Sequence, residues 1–231
     1  MTHDRPSMNS IIVRLELQFC QIDGCYVFLD LNTQRYFLIA NDAAARFRRY
    51  LNGASTGDDI EWLIGNRLIC PTEEASQIIR PSVVAPAAES MMDRPLPRAD
   101  ALFVLQIILG QRAARRQLRR LPFKMILQNL CDRKDVATKA TRRARGADAS
   151  APNLLPIVAA FRASERISNS IDQCLPRGIA LFTLLRRYGF APNMVIGVTL
   201  PFAAHCWIQV GDHVVSDSLD RVRSFKPILA L

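Results

Sequence analysis

Histidine is scarce in this chain: His3, His205 and His213 are the only three among 231 residues. A closed tetrahedral zinc site therefore has no obvious ligand set, since Cys20 and Cys25 stand five apart, no second pair follows, and the histidines lie far from them. Long apolar runs are lacking too. The densest, 101–109, is about half of the roughly 20 residues a membrane-spanning helix needs, and arginines follow at once. The start, Met1-Thr2-His3-Asp4-Arg5-Pro6, has no basic region leading into an apolar core and no small-residue cleavage site. Neither export nor membrane insertion is expected, and the chain reads as cytoplasmic. No Gly-rich loop followed by Lys and Ser or Thr is present to cradle phosphates, so no nucleotide or other cofactor site is assigned to this chain. No internal repeat is visible.

What is present is a globular composition, 49% apolar and 22% charged, which excludes disordered, collagen-like and coiled-coil classes. The length fits one full domain or two small ones. Six cysteines could suggest a disulfide framework, but such frameworks belong to short secreted chains, and most of these thiols read as small buried hydrophobes. Lys+Arg 30 against Asp+Glu 21 leaves a net charge of +9, which fits nucleic acid, an acidic membrane surface or an acidic protein partner. The charge gathers at Arg46, Arg48 and Arg49, at Arg112, Arg115, Arg116, Arg119 and Arg120, and at Arg142, Arg143 and Arg145. The plain reading of each cluster is a solvated helix face or an exposed linker.

Loose alternation over 11–17, then the runs 25–31 and 35–39 flanking Asn32-Thr33-Gln34, predicts three antiparallel strands. Asn41 or Asp42 is placed to cap a helix that ends before Gly53, Asp58 opens a shorter one, and Thr72-Glu73-Glu74 suits another helix start. Pro81, Pro86, Pro95 and Pro97 mark a linker over 83–98 between domains at 1–82 and 99–231. A long helix follows, with Phe103, Ile107, Ala114, Leu118 and Leu121 on one face, and 138–153 reads as an exposed loop.

The stretch 28–38, followed by Asn41 and Ala43-Ala44-Ala45-Arg46-Phe47, resembles the precursor-peptide recognition element of ribosomal peptide-modifying systems, a small winged-helix domain like the chaperone of PQQ biosynthesis. That resemblance implies binding of a leader peptide as an extra strand beside Arg35, Tyr36, Phe37, Leu38 and Ile39, by β-augmentation. A generic, DNA-binding winged helix is the alternative.

Cys174-Leu175-Pro176-Arg177 opens a helical pattern that stops at Gly189, with Pro176 in the first turn. A thiol at a helix start is poised as a thiolate, since orphan N–H groups and the positive dipole end favour the anion, and Arg177 adds positive charge. The same N–H groups suit the oxyanion of a tetrahedral intermediate. Downstream, 193–200 and 204–210 read as strands, with His205, Trp207 and Gln209 on one face and Cys206, Ile208 and Val210 on the other. His205 is the better-placed base, and His213, beside the turn, the weaker alternative. For Asp217 the register decides. A two-residue loop at Gly211-Asp212 sets it opposite Cys206 and away from His205, whereas a three-residue loop or a bulge brings it to the His205 face. Asp220 is the substitute if the shorter loop forms without a bulge.

The order Cys174, His205, Asp217 is that of transglutaminase-like cysteine hydrolases. The residues Cys174-Leu175-Pro176-Arg177, Gly197-Val198, 201–208 and Asp217-Ser218 resemble the lasso-peptide leader peptidase family. Two resemblances in this order look like that family's fused form. They imply an α+β chain: a three-stranded winged-helix-like domain, a helical segment, and a transglutaminase-like or papain-like cysteine protease domain. They further imply that Cys174 attacks the leader–core amide, His205 shuttles the proton and Asp217 orients the imidazole. The implied partners are a lasso precursor peptide and a macrolactam-forming cyclase, through which activity would be linked to ATP, and no nucleic acid. Gly178 and Cys206 depart from the pattern, which has serine and alanine there. A winged-helix nucleic-acid-binding regulator, or an acyl transferase using the same three residues, are the competing functions.

Overall fold

Asp23 and Gly24 make the tightest turn of the N-terminal region. In the computed structural model, which describes residues 11–72, 84–132, 154–167 and 173–231, both have positive φ (46° and 80°), as a two-residue hairpin of mirror-image type requires. They join β2 (Leu17–Ile22) to β3 (Cys25–Asp30), with Ile22 opposite Cys25. β4 (Arg35–Ile39) pairs on the other side of β3. The connection turns where Asn32-Thr33-Gln34 was expected to turn, and Asp30 organises it: its Oδ1 accepts from Asn32 N at 2.8 Å and Thr33 N at 3.3 Å.

The expected first strand, 11–17, is a misreading. Leu17 N bonds Arg14 O at 2.9 Å, and this turn splits the alternating run. Only Ile11–Val13 (β1) before it is extended, and it pairs with β5 (Ile69–Pro71) away from the three-stranded sheet. Alternation records burial without naming the partner strand; the Asp-Gly turn names it.

The chain divides into two compact units, Met1–Ile79 and Arg80–Leu231. In the first, helix α1 (Asn41–Leu51) sets Phe47 against the sheet, with ring centroids 5.1 Å from Phe19, 5.0 Å from Tyr26 and 5.1 Å from Phe28. Neither Asn41 nor Asp42 caps α1; Ala40 precedes its first residue, and Asp42 accepts from Arg46 Nε at 2.8 Å instead. Helix α2 (Gly57–Gly65) begins with a reciprocal Thr56–Asp59 capping box. The buried Asp59 also receives Arg49 at 2.7 and 2.8 Å and Arg46 at 3.3 Å, so two arginines of the first cluster tie α1 to α2 and are not simply a solvated face.

The second unit places helices beside a five-stranded sheet. The helices are α3 (Ala101–Arg120), α4 (123–132), α5 (Leu155–Glu165), α6 (Cys174–Arg187) and α7 (Leu219–Arg223). Gly110 lets α3 cross α6 closely: a Cβ there would lie 3.2 Å from that of Ala180. The strand order is β10 (Lys226–Ala230), β7 (Pro192–Thr199), β8 (Ala203–Val210), β9 (His213–Val214) and β6 (Glu89–Ser90), and β6 runs parallel to β9. Within 84–98, expected as a linker, Glu89–Ser90 supplies the two-residue edge strand of the second unit's sheet. The prolines flank Glu89–Ser90 without entering it, so they permit a short edge strand. The helix expected to begin at Thr72 falls, past that residue, outside the described residues, as does the loop expected over 138–153. Among the described residues, no helix is long and apolar enough to cross a membrane.

Candidate active site

Cys174 is the first residue of α6, preceded by Gln173, whose side chain makes no capping bond. Pro176, in the first turn, has no N–H to leave unsatisfied. Arg177 is not the extra positive charge expected beside the thiol. Its guanidinium pairs with Glu165 at 2.5 Å and lies 4.7 Å from the Phe161 ring centroid.

The site forms where β8 loses its neighbour. β8 and β9 are joined by the shorter loop, Gly211-Asp212, with Val210 opposite His213 and Gln209 opposite Val214 and no shift between them. On a continuing ladder Asp217 would stand opposite Cys206 and face away from His205. The ladder stops first. Val215 N still bonds Ile208 O at 2.9 Å, but the chain bends over 215–217, and Ile208 N–H is taken at 2.9 Å by Ser216 Oγ in place of a carbonyl. The expected dependence of Asp217 on loop length thus fails, because it assumed that pairing reaches residue 217. Released from the alternation, Asp217 brings Oδ1 to 2.8 Å from His205 Nε2, so Asp220 is not needed as its substitute.

The same break frees the edge of β8. Residues two apart on a strand direct their N–H groups to the same edge, so Cys206 N–H follows Ile208 N–H into the gap. There it meets Cys174: the N–H groups of Cys206 and Leu175 are directed at the thiol, and His205 is its side-chain partner. With Nε2 engaged by Asp217, Nδ1 is the imidazole nitrogen left for Cys174.

Burial would raise the Cys174 thiol, but hydrogen bonding to His205 and to the two backbone N–H groups outweighs it and holds the thiol below its ordinary value. For His205 burial acts in the opposite sense, and the hydrogen bonds to Asp217 and Cys174 overcome it, pushing the imidazole up to about 9. Asp217 is held below the usual carboxylate range: burial opposes this, but the hydrogen bond and charge of His205, and Ser216, prevail. These directions favour a thiolate–imidazolium pair beside a carboxylate, an arrangement that can supply an activated nucleophile and a proton carrier.

Several further residues build this geometry, among them Ser216, Ser90, Asp93 and Phe225, which sequence reasoning passed over. Ser216 Oγ donates to Asp217 Oδ2 at 2.6 Å. Ser90 Oγ donates to the Asp217 carbonyl at 2.6 Å, and Asp93 Oδ2 accepts from Leu219 N at 3.0 Å, so the segment around β6 fastens the bend from outside. The His205 ring lies near both Trp207 (centroids 6.4 Å apart) and Phe225 (5.3 Å). Gly197 makes room for Trp207, since a Cβ there would lie 2.7 Å from the indole. The two departures, Gly178 and Cys206, touch: a Cβ at 178 would come within 2.9 Å of Cys206 Sγ. His213 stands apart, with Nδ1 2.7 Å from Asp212 and Nε2 3.4 Å from Glu89. Among the described residues, no group of three or more His, Cys, Asp or Glu is placed to hold a metal.

In the first unit, Arg35, Tyr36, Phe37, Leu38 and Ile39 make up β4, an outer strand of its sheet. Phe37 stacks on Phe28 at 4.9 Å and is 37% exposed, and Leu38 is 43% exposed.

Comparison with known families matches residues 117–230 to Transglut_core3, of the transglutaminase-like superfamily. That span encloses Cys174, His205 and Asp217. No curated protein and no solved structure matches the chain.

Proposed function

We propose, on the premise that residues 117–230 form a transglutaminase-like domain, that this chain is a cysteine peptidase that binds the leader of a ribosomally made lasso-peptide precursor. It cuts leader from core before a partner cyclase closes the macrolactam. The observation that carries this reading is the line from Cys174 through His205 to Asp217, assembled at the gap beside β8. The motif resemblances around these residues and in the N-terminal unit supply the substrate class.

In the proposed reaction the Cys174 thiolate attacks the carbonyl carbon of the scissile amide. Negative charge passes to the carbonyl oxygen, for which the N–H groups of Leu175 and Cys206, already directed at the sulfur, are the nearby donors. The His205 imidazolium gives its proton to the leaving amine, which becomes the new N-terminus of the core. His205, now neutral, takes a proton from the water that resolves the thioester, and Asp217 keeps the ring oriented throughout. The steps need no cofactor in this chain, and any link to ATP would come through the cyclase. Leader binding is assigned to β4, whose outer edge pairs with no other strand among the described residues. An added strand gains main-chain hydrogen bonds there, and Phe37 and Leu38 offer apolar contacts.

Incubation with a candidate precursor, followed by mass spectrometry, tests the reading. Cleavage at one leader–core bond is expected, and its loss in Cys174→Ala; undiminished cleavage by that variant removes Cys174 as the nucleophile. The family match also favours a second reading, transfer of the acyl group to an amine. Products formed with added amines separate the two, because a transferase yields the amide where a peptidase yields the acid.

A further inference from the structure

Cys206 is a second thiol at the site, and the proposed reaction makes no use of it. Its side chain is buried, 5% exposed, on the face of β8 turned to α6. There the sulfur rests against Gly178, the one residue type at 178 whose missing Cβ leaves it room. Gly178 follows Cys174 by four residues, one helical turn or about 6 Å along the axis. From the other side, the backbone N–H of Cys206 is directed at the Cys174 sulfur. Cys174 is thus one hydrogen bond from the backbone of Cys206, and α6 carries both contacts. A disulfide asks for Cα atoms no more than about 7 Å apart, and the hydrogen bond from Cys206 N–H to the Cys174 sulfur sets the two residues side by side.

We infer that Cys206 is a resolving thiol for Cys174: once a hydroperoxide has oxidised Cys174 to a sulfenic acid, Cys206 closes a Cys174–Cys206 disulfide that a dithiol can reopen. In the first step the Cys174 thiolate attacks one peroxide oxygen. The S–O bond forms as the O–O bond breaks, the sulfur gives up two electrons to the peroxide, and the departing oxyanion is protonated by the His205 imidazolium. In the second step the Cys206 sulfur attacks the sulfenic sulfur. The S–S bond forms, the S–O bond breaks, and the hydroxide leaves as water with the proton of Cys206, with no further change in total oxidation. The two thiols suit unequal roles. Cys174 is half-buried and held toward the thiolate, so it is the one a peroxide meets. Burial, with the charges of Cys174 and Asp217, pushes the Cys206 thiol well up and keeps it from reacting on its own. The result would protect the nucleophile from irreversible over-oxidation while switching the site off.

The inference goes beyond the peptidase reading and needs only a reactive thiol at 174, so its test reads mass and not cleavage. The full chain is treated with hydrogen peroxide, its remaining thiols are alkylated after denaturation, and it is digested with trypsin. Arg166, Arg177, Arg187 and Arg221 place Cys174 in peptide 167–177 and Cys206 in peptide 188–221, with no other cysteine in either. The expected result is a joined 167–177/188–221 species that dithiothreitol separates into two free thiols. In Cys206→Ala, and in Cys206→Ser, which keeps an atom packed on Gly178, the dithiothreitol-recoverable Cys174 should be lost to the sulfinic form. Cys174 sulfinic acid with Cys206 still free in the wild type would overturn the inference. So would wild-type recovery of Cys174 in either variant that retains the native circular dichroism spectrum.

Discussion

Ser216 occupies the position at which β8 runs out of backbone partners. Its hydroxyl accepts Ile208 N–H at 2.9 Å, so its own proton must go to Asp217 Oδ2 at 2.6 Å, which reserves Oδ1 for His205 at 2.8 Å. Ser216→Ala would leave a buried N–H unpaired, at about 1–3 kcal/mol, and free the carboxylate to rotate. The folded His205 titrates at about 9 against an ordinary 6.5. The stability from its charged form is therefore complete below about 6.5 and lost as pH rises through about 9. Activity that needs the imidazolium should fall over the same range. Ser216→Ala is expected to move the alkaline limb of kcat/KM to lower pH, whereas a purely structural serine would lower stability and leave that limb unmoved. Cys174, His205 and Asp217 could be singled out in the sequence because each carries chemistry at a recognisable local position. Ser216 and Ser90 could not. A serine beside an aspartate reads as turn composition, and Ser90 meets Asp217 from 127 positions away.

Between elements, one tight constraint is the contact of α6 with β8 at Gly178 and Cys206. A Cβ at 178 would sit 2.9 Å from the sulfur, so the two departures from the resembled motif are one coupled change. Gly178→Ser should destabilise the chain more when Cys206 is present than in a Cys206→Ala background. A coupling of about 0.5–3 kcal/mol is expected from urea unfolding of the four proteins; additive effects would contradict the contact. Strands and helices were readable where turn chemistry and periodicity agreed, as at Asn32-Thr33-Gln34 and along α6. The run over 11–17 misled because alternation does not identify a strand's partner, and Asp23-Gly24, which does, was the available signal. The early end of the β9 ladder had no sequence signal, because a side-chain hydroxyl replaces a backbone carbonyl there.

At the scale of the whole chain, binding and cleavage are assigned to different units, so they should separate in kinetics. Leu38→Glu, on the exposed side of β4 (43% exposed), should raise KM for a full precursor and leave kcat unchanged. A short peptide spanning only the cleavage site should be unaffected, and equal losses on both substrates would contradict the assignment. The charge of +9 set no single partner in the sequence. In the structure Arg46 and Arg49 converge on Asp59, while Arg112, Arg116, Arg119 and Arg120 of α3 are exposed and form the more open basic set among the described residues. The chemistry proposed for the chain passes through the Cys174 thiolate, and the most direct measurement is its rate of alkylation by iodoacetamide across pH, read on peptide 167–177. The account predicts reactivity that persists below the ordinary thiol value of 9.0 and returns toward it in His205→Ala. A wild-type rate that titrates like an ordinary thiol, unchanged by His205→Ala, would contradict it.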